Sequence, residues 1–260
     1  VALRSGLLIG NDNMEAAMIN DCTAIILAGG DSRRMGRDKA TLPFAGTTLM
    51  QAVIATMQQL FPATLVSVRQ IRPEIYLPQV CDTQADGGPL TGLVTTLSRV
   101  ATPWAFVVAC DMPFISPALV ELLGGYRFKP LPTSPCQGRG ISFPPDGTTS
   151  HSTRLSKDDS QVAGYDKGGS RGVGCQAIIP VVHGQLQPLA AFYSTGCIPL
   201  LRASLALGNK SLLGALKHLD VCYVDETQMR QTDPQLRSFF DLDTPQDLTI
   251  AQGYEIGAMK

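Results

Sequence analysis

The densest group of residues able to do chemistry lies in Thr23–Lys39, which reads T-A-I-I-L-A-G-G-D-S-R-R-M-G-R-D-K. A continuous apolar run, Ala24–Ala28, opens it and reads as a strand buried on both faces. Gly29-Gly30 stops the run, and a basic loop follows with Arg33, Arg34, Gly36, Arg37 and Lys39. Paired glycines permit positive φ and close approach of backbone to a ligand. N–H groups in such a loop form an anion nest. Guanidinium forks and a lysine charge then match phosphate oxygens. The stretch predicts a polyphosphate cradle at the C-terminal end of a central strand. It is neither of two common phosphate loops. Gly30 and Gly36 are too far apart for G-x-x-x-x-G-K-[ST], and the loop lacks the spacing G-x-G-x-x-G.

Carboxylates stand apart from this loop. Asp111 follows the strand-like run Trp104–Ala109, at the end of a strand where open α/β sheets place ligands. Asp241 and Asp243 precede Thr244-Pro245-Gln246-Asp247. That helix start is complete without them: Thr244 suits the N-cap, Pro245 suits N1, and Asp247 complements the dipole. A polyphosphate cradle with separated carboxylates fits a nucleotide bound as its Mg2+ complex. Mg2+ takes one or two carboxylates together with phosphate oxygens and waters. Asp111 and Asp243 are the expected metal ligands, and Arg33, Arg34 and Lys39 are expected to hold the triphosphate. No Ser-His-Asp or Cys-His pairing stands out, and the histidines are His151, His183 and His218. That fits attack by a phosphate monoester, whose second pKa of about 6 leaves it largely dianionic at neutral pH. Such a reaction needs two repelling anions held in line and cations to neutralise the transition state.

The motif L-A-G-G-x-S-x-R-M-G-x-D-K resembles the signature of the molybdenum cofactor guanylyltransferases. It is carried by Leu27-Ala28-Gly29-Gly30, Ser32, Arg34-Met35-Gly36 and Asp38-Lys39. Gly88-Pro89-Leu90-Thr91-Gly92 is similar to the family's G-P-L-x-G. Gln187-Pro188-Leu189 is similar to its Q/H-P-L segment, and Asp241–Leu248 to its N/D-x-N/D-T-P-x-D-L. The resemblance implies joining of the terminal phosphate of molybdopterin to the α-phosphate of GTP, with release of pyrophosphate. It implies GTP contacts at Leu27, Ala28, Gly29, Gly30, Arg33, Lys39, Ser67, Asp82, Gly88, Leu90 and Asp111. It implies Mg2+ at Asp111, with Asp243 expected from the residues as the second ligand, and Lys39, Arg34 and Asp111 are the expected catalytic residues. Ser67 falls where the family usually has Asn. Its implied partners are GTP, the molybdopterin cofactor, and other cofactor-biosynthesis or molybdoenzyme chaperone proteins. The alternatives are a nucleotidyltransferase using CTP or a sugar phosphate, and a non-catalytic nucleotide-binding protein that delivers the cofactor.

The surrounding elements must position these residues. Thr47 or Thr48 caps a helix from about Leu49 to Phe61, with Leu49, Val53, Met57 and Leu60 on one face. Leu65–Val68 and Val80–Asp82 read as strands. Leu90–Ser98 reads as a helix whose glycine-rich entry either offers N–H groups to a nucleotide or, through Gly92, packs closely on the sheet. Ser116-Pro117 starts the next helix. Gln176–Val182 and Leu186–Tyr193 around His183-Gly184 read as a hairpin. Two helix-periodic stretches, a strand at Val221–Val224 and a last helix follow. The expected fold is α/β: one Rossmann-like, mostly parallel sheet flanked by helices. It is of the nucleotide-diphospho-sugar transferase type, with the hairpin at an antiparallel edge. The expected domain is 22–253, after a flexible extension at 1–21. A segment at 126–174, rich in Pro, Gly and Ser, interrupts it and reads as a disordered surface insertion.

Composition limits the partners. Over 260 residues, 44% hydrophobic and 17% charged content read as globular, and net charge −1 argues against a nucleic-acid footprint. No stretch is apolar enough for a membrane span. Seven cysteines, an odd number without a C-x-x-C pair, argue against a disulfide framework and for a reducing cytoplasm. Cys22, Cys81, Cys110 and Cys222 read as small apolar residues.

Overall fold

A computed structural model describes residues 18–29, 41–82, 88–129, 174–242, 244, 246–247 and 249–251. Its strands are β1 (Cys22–Leu27), β2 (Pro43–Phe44), β3 (Thr47–Thr48), β4 (Ala63–Val68), β5 (Gln79–Cys81), β6 (Trp104–Ala109), β7 (Ala177–Val182), β8 (Gln185–Leu186), β9 (Ala190–Ser194) and β10 (Val221–Asp225). Its helices are α1 (Leu49–Leu60), α2 (Pro89–Leu97), α3 (Pro117–Gly125), α4 (Ile198–Ala206), α5 (Leu212–Leu216) and α6 (Glu226–Met229). The main sheet runs β10-β7-β9-β6-β1-β4-β5, with β8 against β7. β5, β4, β1 and β6 are mutually parallel, and β9 is antiparallel to both β6 and β7. β7 and β10 therefore run in the direction of β6, and one rim of the sheet collects the C-terminal ends of six strands.

Period-2 alternation divides each central strand between two cores. Ala24, Ile26, Phe106, Val108 and Ile178 pack with α1 and α3. Ile25, Ala105, Val107, Ala177 and Ile179 pack with α2, α4 and α5. Phe106 anchors the first core, with its ring centroid 5.7 Å from Phe61 and 4.8 Å from Phe192. Thr48 caps α1 as expected, its hydroxyl accepting from the Gln51 amide at 3.2 Å. The hairpin turns through His183 and Gly184, both at positive φ, as tight hairpins require.

Two boundaries differ from the sequence reading. The hairpin is not at the edge, because β10 adds in parallel outside β7. Every residue of β7 is buried, so it needs covering by another strand. Ile19–Asp21, assigned to the extension, and Tyr126–Phe128, assigned to the insertion, are both docked. The Ile19 amide donates to the Leu60 carbonyl at 2.7 Å, and Tyr126–Phe128 forms a 3-10 turn with Tyr126 in the core. Arg127 joins the two segments. Its Nη1 donates to Asp21 Oδ2 at 2.6 Å and to Cys22 Sγ at 2.8 Å, and its Nε donates to the Gly124 carbonyl. Residues 1–17 and 130–173, with His151, lie outside the described residues.

Candidate active site

The parallel register brings the sequence-predicted residues to one rim. Leu27 pairs with Ser67 on one side and Ala109 on the other. Beyond the strands the ladder continues. The Ala28 amide donates to the Ser67 carbonyl at 2.9 Å, Asp82 to Val68 at 2.9 Å, and Cys110 to Leu27 at 3.2 Å. Leu27, Gly29, Asp82, Gly88 and Asp111 are half-buried there. The N-terminus of α2 opens on the same rim, with Gly88 as N-cap and Pro89 in the first turn. Helix N-termini present N–H groups and positive potential to anions. Gly30, Arg33, Arg34, Lys39 and Asp243 lie outside the described residues.

Gly92 is a packing position. A Cβ there would stand 3.0 Å from Ser67 Oγ and 3.8 Å from Leu27 Cδ2. Ser67 is buried beneath α2, and its hydroxyl points to the Gly92 carbonyl at 3.5 Å. Leu90 is fully buried in the second core, so its side chain packs there and only its backbone lies at the helix entry.

Asp82 and Asp111 serve different parts of the rim. Three strand spacings, β5 to β4 to β1 to β6, separate them, or roughly 14 Å at about 4.8 Å each. They are too far apart to share one ion. Asp111 has another neighbour in the fold: the Leu242 amide donates to its carbonyl at 3.1 Å. This brings Leu242, next to Asp241, to the end of β6. Thr244 and Asp247 form a reciprocal cap, Thr244 N–H to Asp247 Oδ2 at 2.7 Å and Asp247 N–H to Thr244 Oγ1 at 3.2 Å.

Sequence reasoning missed two neighbours. A Cβ on Gly88 would meet the Lys210 carbonyl at 3.2 Å, so the loop between α4 and α5 borders the entry of α2. Arg69, just past β4, lies with its Cγ 3.5 Å from the Cβ position of Gly29. Neither carries a local motif; only the fold brings them in.

Comparison with known proteins fits this geometry. Residues 24–127 match the MobA-like NTP transferase domain. The probable molybdenum cofactor guanylyltransferase of Pelotomaculum thermopropionicum is 31% identical over 233 residues, covering 88% of this chain and 91% of that protein. The chain belongs to the molybdenum cofactor guanylyltransferase family. Among solved structures, the fold resembles molybdopterin-guanine dinucleotide biosynthesis protein A from Archaeoglobus fulgidus. That match has a TM-score of 0.65 at 23% identity, over 92% of this chain and 100% of the other. It also resembles 2-C-methyl-D-erythritol 4-phosphate cytidylyltransferase from Thermus thermophilus. Here the TM-score is 0.52 at 14% identity, over 89% and 97% of the two chains. These likenesses establish the expected α/β nucleotidyltransferase fold.

The donor set of this guanylyltransferase-family rim suits a metal carried in with a nucleotide. Among the described residues, no three His, Cys, Asp or Glu side chains converge as a protein cage. One carboxylate, Asp111, stands at the strand end, with a second acidic segment hydrogen-bonded beside it. That is the sparse oxygen set Mg2+ accepts when phosphates complete its shell. No helix among the described residues is long and apolar enough to cross a membrane.

Proposed function

We propose that this chain transfers GMP from GTP to the terminal phosphate of molybdopterin, forming the guanine dinucleotide cofactor and releasing pyrophosphate. The observation that carries this reading is the shared rim. The end of β1 at Leu27–Gly29, Asp82, the Gly88 entry of α2 and Asp111 line it, with Leu242 tied to Asp111. In this reading the backbone after β1, with Arg33, Arg34 and Lys39, cradles the triphosphate. Asp82 and Gly88 face the nucleoside side, and Ser67 holds the strand end against α2. Asp111 and Asp243 hold Mg2+, which when bound neutralises charge on the phosphate oxygens. The chain's own task is to hold donor and acceptor phosphates in line despite their repulsion. The acceptor phosphate is already largely dianionic near neutral pH, so no histidine base is required.

The test is calorimetric titration with GTP, CTP and UTP in the presence of Mg2+, followed by pyrophosphate release on adding molybdopterin. Preferential GTP binding with molybdopterin-dependent release is expected. Preference for CTP, or GTP binding without turnover, would replace this reading by one of the alternatives above.

A further inference from the structure

The loop that carries Asp111 is closed by a second stretch of chain, and a buried serine makes the closure. After β6 the backbone runs from Asp111 through Pro113 and Phe114 to Ser116 and then enters α3. Ser116 is the N-cap of α3, yet its own side chain makes no capping bond. Its amide donates instead to Ser238 Oγ at 2.9 Å. The same hydroxyl donates to the Phe114 carbonyl at 3.4 Å. Ser238 is fully buried, so its own hydroxyl is held by these protein partners and not by solvent.

Ser238 is itself fixed. Its amide donates to Asp233 Oδ2 at 2.8 Å, and the Arg237 amide donates to Asp233 Oδ1 at 3.1 Å. Asp233 is also buried. Leu236 turns the chain between them in the left-handed region, at φ 53°. Four residues past Ser238, Leu242 binds the Asp111 carbonyl. The segments Asp111–Ser116 and Ser238–Leu242 thus close a ring, pinned at one end by Ser238 and at the other by Leu242. Phe114 and Phe240 fill it, with centroids 6.3 Å apart. Slack at Ser238 moves the loop whose first residue is Asp111.

We infer that Ser238 is a positioning residue for Asp111, fixing the carboxylate where it meets the nucleotide and its metal. The inference rests on the reading of Asp111 proposed above. A hydroxyl that orients a metal-ligating side chain through the backbone acts as an outer-shell partner does. Loss of such a partner typically costs about 10-fold or more in metal affinity.

The experiment uses the full chain with saturating GTP and Mn2+ as the probe. Protein-held metal is read from the enhancement of water proton relaxation over that of Mn2+–GTP free in solution, and GTP affinity is measured separately without metal. Ser238→Ala is expected to weaken Mn2+ binding about 10-fold while GTP affinity stays within about 2-fold. Ser238→Cys fills the same space with weaker hydrogen bonds and is expected to fall between. It carries the test if the alanine variant does not fold. Wild-type Mn2+ affinity in a folded Ser238 variant would overturn the inference. So would parallel losses of metal, GTP and folded fraction, which mark a merely structural role. Asp111→Asn runs alongside. If it binds Mn2+ as wild type does, the reading of Asp111 itself fails. If it loses Mn2+ while Ser238→Ala keeps it, only the positioning role fails.

Discussion

Leu242 donates its amide to the carbonyl of Asp111 at 3.1 Å, although half the chain length separates them in sequence. The bond sets the acidic segment around Leu242 beside the strand-end carboxylate. Asp111→Asn keeps size and some oxygen coordination but removes a full charge. It is expected to lower kcat by about 100-fold or more, with the melting temperature nearly unchanged. Asp243→Asn is expected to reduce kcat less. Mn2+, which accepts similar oxygen ligands, restores part of both. Steady-state kinetics across a Mg2+ and Mn2+ series check this; wild-type rates for Asp111→Asn at low Mg2+ would defeat the metal assignment.

Gly92 admits no side chain cheaply, because Ser67 Oγ stands 3.0 Å from its Cβ position. Gly92→Ala is expected to destabilise the fold by about 1 kcal/mol or more. Adding Ser67→Ala removes the obstructing oxygen and recovers much of the loss. Urea unfolding of the single and double variants measures the coupling. Equal costs in both backgrounds would show that Ser67 is not what Gly92 makes room for.

The sequence showed the strands and their order of use more clearly than it showed their neighbours. β1 and β6 are buried on both faces and announce themselves as unbroken apolar runs; Trp104–Ala109 is the strand as read. Thr48 and Thr244 were legible as caps because capping is local. The hairpin was legible too, but its place inside the sheet was not, since pairing of Val221–Asp225 with Ala177–Val182 is non-local. Lys210, Arg69 and Ser238 carry no motif, and only tertiary contact brings them to the rim. Tyr126–Lys129 looked like the start of a polar insertion. Arg127 reads as a surface charge in sequence, yet its side chain is 4% exposed. Asp21 and the rings of Phe128 and Phe192, 4.9 and 5.3 Å away, account for its burial.

Lys39 belongs to the basic loop outside the described residues, and its role comes from motif and family. Lys39→Ala removes a cation from the proposed triphosphate cradle. A loss of roughly 100- to 1,000-fold in nucleotidyl transfer is expected, with an unchanged melting temperature. Normal turnover in this variant would remove the loop from the phosphate site.

Asp21 gives the protein one acid-sensitive anchor. Burial works to raise its pKa, but the hydrogen bond and charge of Arg127 outweigh it and leave the carboxyl below its ordinary 3.8. A depressed folded-state pKa stabilises the fold above the unfolded value, and that contribution is lost as pH falls through the folded one. Asp21 is 41% exposed, so solvent screening keeps the effect below about 1 kcal/mol. The melting-temperature gap between wild type and Asp21→Asn is expected to be constant from about pH 6 to 8 and to shrink as pH falls below the ordinary 3.8. A gap that widens in acid would contradict the ion pair.

The interruption after α3 can be tested by removing it at the boundary the fold sets. Lys129 and Cys175, the flanks of residues 130–173, converge on Cys222. The Cys175 and Cys222 thiols lie near enough to shift each other's ionisation, and the charge of Lys129 also reaches Cys222. A Gly/Ser linker of about ten residues, each reaching up to about 3.5 Å, gives ample length to join Lys129 to Gly174. Deleting 130–173 this way is expected to leave GTP affinity unchanged and the melting temperature within a few degrees. Starting the cut at Arg127 should do much worse. It removes the guanidinium that ties Asp21, Cys22 and Gly124 together, and the Arg127 side chain is itself nearly buried, so its packing and its hydrogen bonds are lost together, at about 1–3 kcal/mol. Thermal melts of the two deletions, with GTP titrations, separate the cases. A large loss of stability in the shorter deletion would show that 130–173 packs on the domain. Preserved GTP binding with lost transfer would place the segment over the acceptor.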